Sequence, residues 1–165
     1  MNATLKQELR GAAVTVTKEF ITAGYAIFTV GVPEHFQELN STKPHYTFMV
    51  RRMAEKDGLK SPMFASLLTG PDNTSDYQYI GIVNEAFGRL HLTKKSKLTT
   101  DCWPVKILSR VLLRIFAGQQ EMIGKFGFTV NHCGKCARCG AVLTTPKSIA
   151  AGFGPECLKI ISSGK

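Results

Sequence analysis

Apolar and polar residues alternate with a period of two through much of the first half of the chain. The alternation is clearest at His45–Arg52, where Tyr46, Phe48 and Val50 share one face of a strand. Similar apolar runs predict four more strands, at residues 26–30, 63–69, 77–83 and 87–93. Turn-forming Gly, Pro, Asp and Asn residues separate most of these runs. The five strands therefore predict an antiparallel meander, which can also curl into a small barrel.

Two segments show the period of a helix instead. Residues 3–24 mix helix-forming with β-branched residues, and we expect one or two helices ending near Gly24. Residues 101–118 have a stronger pattern, with Pro104 suited to the first turn and Gly118 to the end. Their apolar stripe consists of Val105, Leu108, Val111, Leu112, Ile115 and Phe116. Two weaker expectations are a polar loop at residues 34–43 and a last strand at residues 126–130.

Cysteines dominate the end of the chain. In Cys136-x-x-Cys139-Gly140, two thiolates can bind one metal ion, because the glycine lets the backbone fold under the sulfurs. Residues 152–155, Gly-Phe-Gly-Pro, predict a turn into a helix whose first turn contains Cys157. The helix dipole favours a thiolate there, and residues 141–149 are long enough for a short hairpin. The expected fold class is α+β, with a meander or small barrel, two helices and a C-terminal treble-clef-like zinc module.

The metal and its fourth ligand are open to alternatives at this point. Zinc can take His132 or Cys133 beside Cys136, Cys139 and Cys157. An iron–sulfur cluster would use the four cysteines and leave His132 without a role. Disulfides are disfavoured, because no signal peptide is visible. Four protein ligands leave no position for a water nucleophile, so we expect one structural zinc ion per chain.

Length and composition indicate a folded protein with a small appendage. The chain has 165 residues, of which 44% are hydrophobic and 20% charged. We expect an N-terminal helical segment at 1–24, a β-rich domain at 25–130 and a zinc-binding module at 131–165. No apolar run approaches the roughly 20 residues of a membrane span, and no targeting signal is visible, so we expect a cytoplasmic protein. No catalytic constellation is recognisable, and we do not expect an enzyme.

The positive charge lies in the second half of the chain. Residues 94–165 contain twelve Lys and Arg against three Asp and Glu, whereas residues 1–93 contain nine of each. The whole net charge of +9 therefore belongs to the second half, and such a density attracts polyanions, nucleic acid first. The candidate phosphate-binding residues are Lys94, Lys95, Lys97, Lys106, Arg110, Arg114, Lys135, Arg138 and Lys147.

The cysteine motifs also carry a resemblance. His132-x3-Cys136-x2-Cys139-Gly140, followed by Gly152-x-Gly154-Pro155-x-Cys157, resembles a family of small, mostly uncharacterised proteins of tailed bacteriophages and prophages. Further matching stretches are residues 23–30, 45–48, 68–73, 76–81 and 94–97, so the resemblance covers about residues 21 to 160. It implies a β-rich part followed by a zinc module, and no catalytic activity.

The resemblance implies the ligand set His132, Cys136, Cys139 and Cys157. Cys133 departs from the family pattern and stays the alternative to His132. With the charge, the resemblance leads us to expect a phage-type accessory protein that binds DNA or RNA in the host cytoplasm. The alternative is a protein that binds a host nuclease, polymerase or defence complex and inhibits or modulates it, covering an acidic or nucleic-acid-binding surface.

Overall fold

Six strands form one antiparallel sheet in the computed structural model, which describes residues 14–72 and 75–163. The strands are β1 (Tyr25–Gly31), β2 (His45–Arg52), β3 (Met63–Leu68), β4 (Tyr77–Val83), β5 (Leu90–Leu92) and β6 (Thr129–His132). Their order is β5-β4-β3-β2-β1-β6. The sheet is open, with β5 and β6 at its edges. The meander prediction is confirmed, and the strands do not close into the alternative barrel.

Six helices accompany the sheet within the described residues, whereas two were expected besides the helix that contains Cys157. They are α1 (Lys18–Thr22), α2 (Glu34–Asn40), α3 (Trp103–Phe116), α4 (Gln120–Lys125), α5 (Pro146–Ala151) and α6 (Pro155–Ser162). The α+β fold class is confirmed. The strong helix prediction corresponds to α3, which ends before Gly118 at a φ of +70°. Of the predicted helical segment at 3–24, α1 lies among the described residues, whereas residues 1–13 lie outside them.

One predicted loop and one predicted hairpin are wrong, because short helices form in their place. Helix α2 lies in the expected polar loop and is followed by Ser41, whose left-handed backbone caps the helix. The hairpin expected within residues 141–149 is replaced by α5, because Thr145 caps a helix there. Its hydroxyl accepts a hydrogen bond from the Ser148 N–H, and Pro146 occupies the first helical position. Thr145 and Pro146 are both helix-start signals that the sequence contains.

Two predicted strands are also shorter or displaced. β5 has three residues instead of the seven expected at 87–93. The side chain of Asn84 accepts hydrogen bonds from the N–H groups of Ala86 and Phe87, which holds a turn where the strand was expected to begin. β6 begins at Thr129 and includes His132, three residues later than the strand expected at 126–130.

The core lies between α3 and the face of the sheet that carries alternate residues of β1 and β2. Phe28, Val30, Phe48 and Val50 are fully buried on that face. The expected stripe of α3 is buried except for Phe116, which is half-buried, and Ile107 joins it. The same cluster includes Cys136, Ala137, Leu143, Phe153 and Cys157. The cysteine-rich segment thus packs into the core of the sheet.

No helix in the described part of the chain is both long and apolar enough to cross a membrane.

The phenolic hydroxyls of Tyr46 and Tyr77 differ in their hydrogen bonding. Tyr46 Oη accepts a hydrogen bond from the Lys43 N–H at 3.1 Å. The buried Tyr77 Oη has no hydrogen-bond partner among the described residues. Burial of Tyr77, then the charges of Cys133 and Tyr25, raise the pKa of Tyr77 from 10.0 to about 12. Because the pKa is higher in the folded state, Tyr77 ionises less readily there than in the unfolded chain, and the protein loses stability as the pH rises from 10 to 12.

We therefore expect Tyr77→Phe to leave the free energy of unfolding unchanged or slightly higher near neutral pH, because an unpaired buried hydroxyl is removed. The same change should weaken the alkaline loss of stability. Tyr46→Phe, the matched control, should lower the free energy of unfolding by about 1 kcal/mol through the lost hydrogen bond. Urea unfolding near neutral pH and from pH 10 to 12 measures the free energy of unfolding of both variants. Equal destabilisation by the two changes would contradict the conclusion that the Tyr77 hydroxyl is unpaired and the Tyr46 hydroxyl is hydrogen-bonded.

Candidate metal centre

A tight turn after β6 presents Cys136 and Cys139. Lys135 and Val142 form an antiparallel bridge at its base. The Cys136 N–H donates to the Ala141 carbonyl at 2.8 Å, and the Gly140 N–H donates to the Cys136 carbonyl at 2.8 Å. Gly140 has a φ of +78°, a conformation that favours glycine. These bonds form the turn expected from the Cys-x-x-Cys-Gly motif, called the metal-binding turn below because its two thiols could hold a metal ion.

The third cysteine reaches this turn through the corner between α5 and α6. Gly152 ends α5 in a left-handed conformation, and its carbonyl accepts a hydrogen bond from the Ala137 N–H at 3.0 Å. A side chain at Gly152 would come within 2.7 Å of the Phe20 ring, so only glycine fits. α6 then begins after Gly154, and Cys157 lies in its first turn as expected.

The three cysteines form one cluster of potential metal ligands. The Sγ atoms of Cys136, Cys139 and Cys157 all lie within 4.8 Å of one another. A tetrahedral zinc ion with Zn–S bonds of about 2.3 Å holds its sulfur ligands about 3.8 Å apart, so small side-chain adjustments suffice for binding. Cys136 and Cys157 are buried, whereas Cys139 is exposed. The donor set therefore fits a thiolate-bound metal ion.

Two of the thiols are in different electrostatic environments. Burial raises the pKa of Cys136, but hydrogen bonds from the backbone N–H groups of Cys139, Gly154 and Arg138 outweigh it and bring the pKa to about 7. Burial also raises the pKa of Cys157, and the Arg138 guanidinium, which donates from Nη1 to Cys157 Sγ at 3.7 Å, only partly opposes it. Cys136 thus gives up its proton to a metal ion more easily than Cys157 does.

The structure does not bring His132 or Cys133 into this cluster. The His132 ring stacks near Phe20, with 5.5 Å between ring centroids. Its Nδ1 accepts a hydrogen bond from the Gly134 N–H at 3.0 Å, so Nε2 carries the proton and donates to the Ile149 carbonyl at 2.5 Å. Cys133 is exposed, and it contributes electrostatically to the raised pKa of Tyr77. The ring of His132 links the metal-binding turn to α5.

The nine cationic residues expected to bind phosphate lie on three parts of the fold. Lys94, Lys95 and Lys97 are exposed in the loop after β5. Lys106, Arg110 and Arg114 lie along α3, where they border an apolar groove. Lys135, Arg138 and Lys147 belong to the cysteine-rich segment.

Arg138 has a role that sequence reasoning missed. It was expected as a candidate phosphate-binding residue and is exposed, and its guanidinium also lies against the sulfur of Cys157, nineteen positions further along the chain. A positive donor at a thiolate offsets part of the negative charge of the ligand set. The only sequence signal was its position inside the metal-binding turn.

The comparison with protein families matches this part of the chain. Residues 128–162 match a family of unknown function, DUF6011. The match begins next to β6 and extends through α6, so it contains the three clustered cysteines together with His132, Cys133 and Arg138. It does not include strands β1 to β5. No curated protein and no solved structure matches the chain.

Proposed function

We propose that the cysteine cluster binds one zinc ion with a structural role, and that His132 is the fourth ligand. Metal-bound histidines usually donate the second ring N–H to a carboxylate or a backbone carbonyl. His132 Nε2 makes such a bond to Ile149, and Nδ1 would bind zinc by giving up the hydrogen bond that it accepts from the Gly134 N–H in the metal-binding turn. The exposed Cys133 is the alternative. Zinc bound in this way would hold the turn, α5 and α6 together.

We further propose that the protein binds nucleic acid through phosphate contacts, as an accessory protein of a tailed phage working in the host cytoplasm. The observation that supports this most is the lack of internal charge pairing. Among the described residues, the ion pairs are Arg52–Glu85 and Lys159–Glu156, and neither involves any of the nine candidate cations. Unpaired surface cations are available to neutralise phosphates and release counterions.

Five of the nine cations fit this role best: Lys94, Lys95, Lys97, Lys135 and Lys147. The other four have neighbours that suggest additional roles, namely Arg138 at the metal cluster and the three residues beside the groove of α3. Lysine side chains act as mobile point charges and do not read base edges in a fixed geometry. We therefore expect binding with little sequence preference.

The test is binding of fluorescent single-stranded and duplex oligonucleotides, DNA and RNA, over a series of salt concentrations. The logarithm of the affinity should fall linearly with the logarithm of the salt concentration, with a slope of about 0.9 per duplex phosphate contacted. A pull-down from nuclease-treated host lysate separates this function from the alternative. A stoichiometric host protein that survives the nuclease, with no oligonucleotide binding at low salt, would instead support an inhibitor or modulator of a host enzyme.

A further inference from the structure

An apolar groove of about 640 Å³ runs beside α3, between that helix, α2, α4 and the segment leading into β6. Aliphatic and aromatic side chains from all these elements line it. Leu113 and Phe126, two of the lining residues, have 43% and 61% of their surface exposed. Pockets of roughly 300–1,000 Å³ are typical of specific ligand sites. The volume therefore suffices for several apolar side chains of a partner.

The groove has basic residues along one side and no acidic residue in its lining. Lys106, Arg110 and Arg114 recur every fourth position on α3 and border the groove over about 12 Å of helix length. Arg114 Nη1 donates to Gln119 Oε1 at 2.6 Å, and no ion pair involves any of the three within the described residues. An occupant that complements this site combines an apolar surface with a row of negative charges beside it.

We propose that the groove binds an amphipathic α-helix of a partner protein, with an apolar stripe flanked by Asp and Glu. Acidic residues spaced four apart on such a helix repeat at about 6 Å, the same spacing as the cations of α3. The apolar stripe enters the groove while the acidic flank faces Lys106, Arg110 and Arg114. This inference does not depend on nucleic-acid binding, since it concerns a different surface from the five lysines above.

The aromatic residues of the groove favour a helix over nucleic-acid bases. Lys106 Nζ lies 4.6 Å from the centroid of the Trp103 ring, and Phe36 packs against the same indole in a T-shaped contact. Phe36 makes a second T-shaped contact with Phe128. Among the Phe and Trp rings that line the groove, these contacts leave Phe126 exposed. The amide oxygen of Gln119 already accepts a hydrogen bond from Arg114 and is not free to read a base edge.

Trp103 provides a direct probe, because it is the only tryptophan of the chain and lines the groove. The zinc-loaded protein is titrated with a synthetic peptide of about 18 residues, five helical turns. The peptide has Leu and Phe at helical spacing and Glu on both flanks. A scrambled peptide of equal composition is the control. We expect a saturable blue shift of Trp103 emission with the patterned peptide, and at least about tenfold weaker binding of the scrambled one.

Variants locate the binding to the groove. Phe126→Ser and Arg110→Glu should each raise the Kd by about tenfold, because one removes an apolar contact and the other opposes the acidic flank. Phe87→Ser is the matched apolar control, since Phe87 is 74% exposed and does not line the groove. Lys147→Glu, on α5, is the matched charge control. Both controls should leave the Kd within about twofold.

Several results would overturn the proposal. One is an unchanged Trp103 emission, and another is equal binding of the patterned and scrambled peptides. If a thymidine oligonucleotide shifts the emission and displaces the peptide, the groove is a nucleic-acid site. If the emission depends on protein concentration alone and sedimentation shows a dimer that Phe126→Ser abolishes, the groove binds a second copy of this chain. Zinc content and melting curves of each variant confirm that the fold is intact.

Discussion

Cys136→Ser, Cys139→Ser and Cys157→Ser should each release the metal ion and unfold the cysteine-rich segment. Structural zinc contributes about 10–16 kcal/mol of binding free energy in small zinc-binding peptides near neutral pH, and that free energy is available only to the folded segment. Cys136 and Cys157 also belong to the core cluster, so we expect a lower melting temperature of the whole protein as well. Metal analysis and hydrogen exchange over residues 133–163 measure these losses.

The unmodified protein should contain about one zinc per chain and be colourless. Iron in the same proportion with a brown colour would identify a cluster instead. Cys102→Ser is the matched control, since Cys102 lies at the start of α3 and outside the three-cysteine cluster, and it should keep the metal. His132→Ala should release zinc and Cys133→Ser should keep it. The opposite result would assign the fourth position to Cys133.

Reversal of Lys94, Lys95 and Lys97 to Glu should weaken oligonucleotide binding by about 100-fold at low salt. These lysines are exposed, none is ion-paired within the described residues, and all lie on one loop. Their loss should also reduce the slope of log affinity against log salt by about 3, if each lysine contacts one duplex phosphate. Fluorescence anisotropy over a salt series measures both quantities.

Reversal of Lys43, Lys56 and Lys60 is the matched control for this experiment. These lysines are also exposed, and their reversal changes the net charge by the same amount. They belong to the half of the chain whose charges sum to zero. We expect a much smaller effect on affinity, because only general charge attraction is reduced. Equal effects of the two triple reversals would show that no local phosphate-binding surface exists on the 94–97 loop.

The amino-acid sequence by itself determined the elements that depend on neighbours along the chain. The alternation at Tyr46, Phe48 and Val50 identified β2 and its buried face, and the stripe of α3 followed from its helical spacing. The Cys-x-x-Cys-Gly motif likewise identified the metal-binding turn, because its ligands and its glycine lie within five residues. The short helices α2 and α5 were missed because few residues contribute to so short a pattern.

Only the tertiary structure decided which distant segments meet. β6 pairs with β1 across about a hundred residues, and no local pattern selects that edge of the sheet. In the same way, the approach of Arg138 to Cys157, the hydrogen bonds of His132 and the groove beside α3 result from packing between elements. Spacing along the chain constrains only residues that one turn, strand or helix holds together. Contacts between separate elements depend on how their buried faces fit, which is a property of the whole fold.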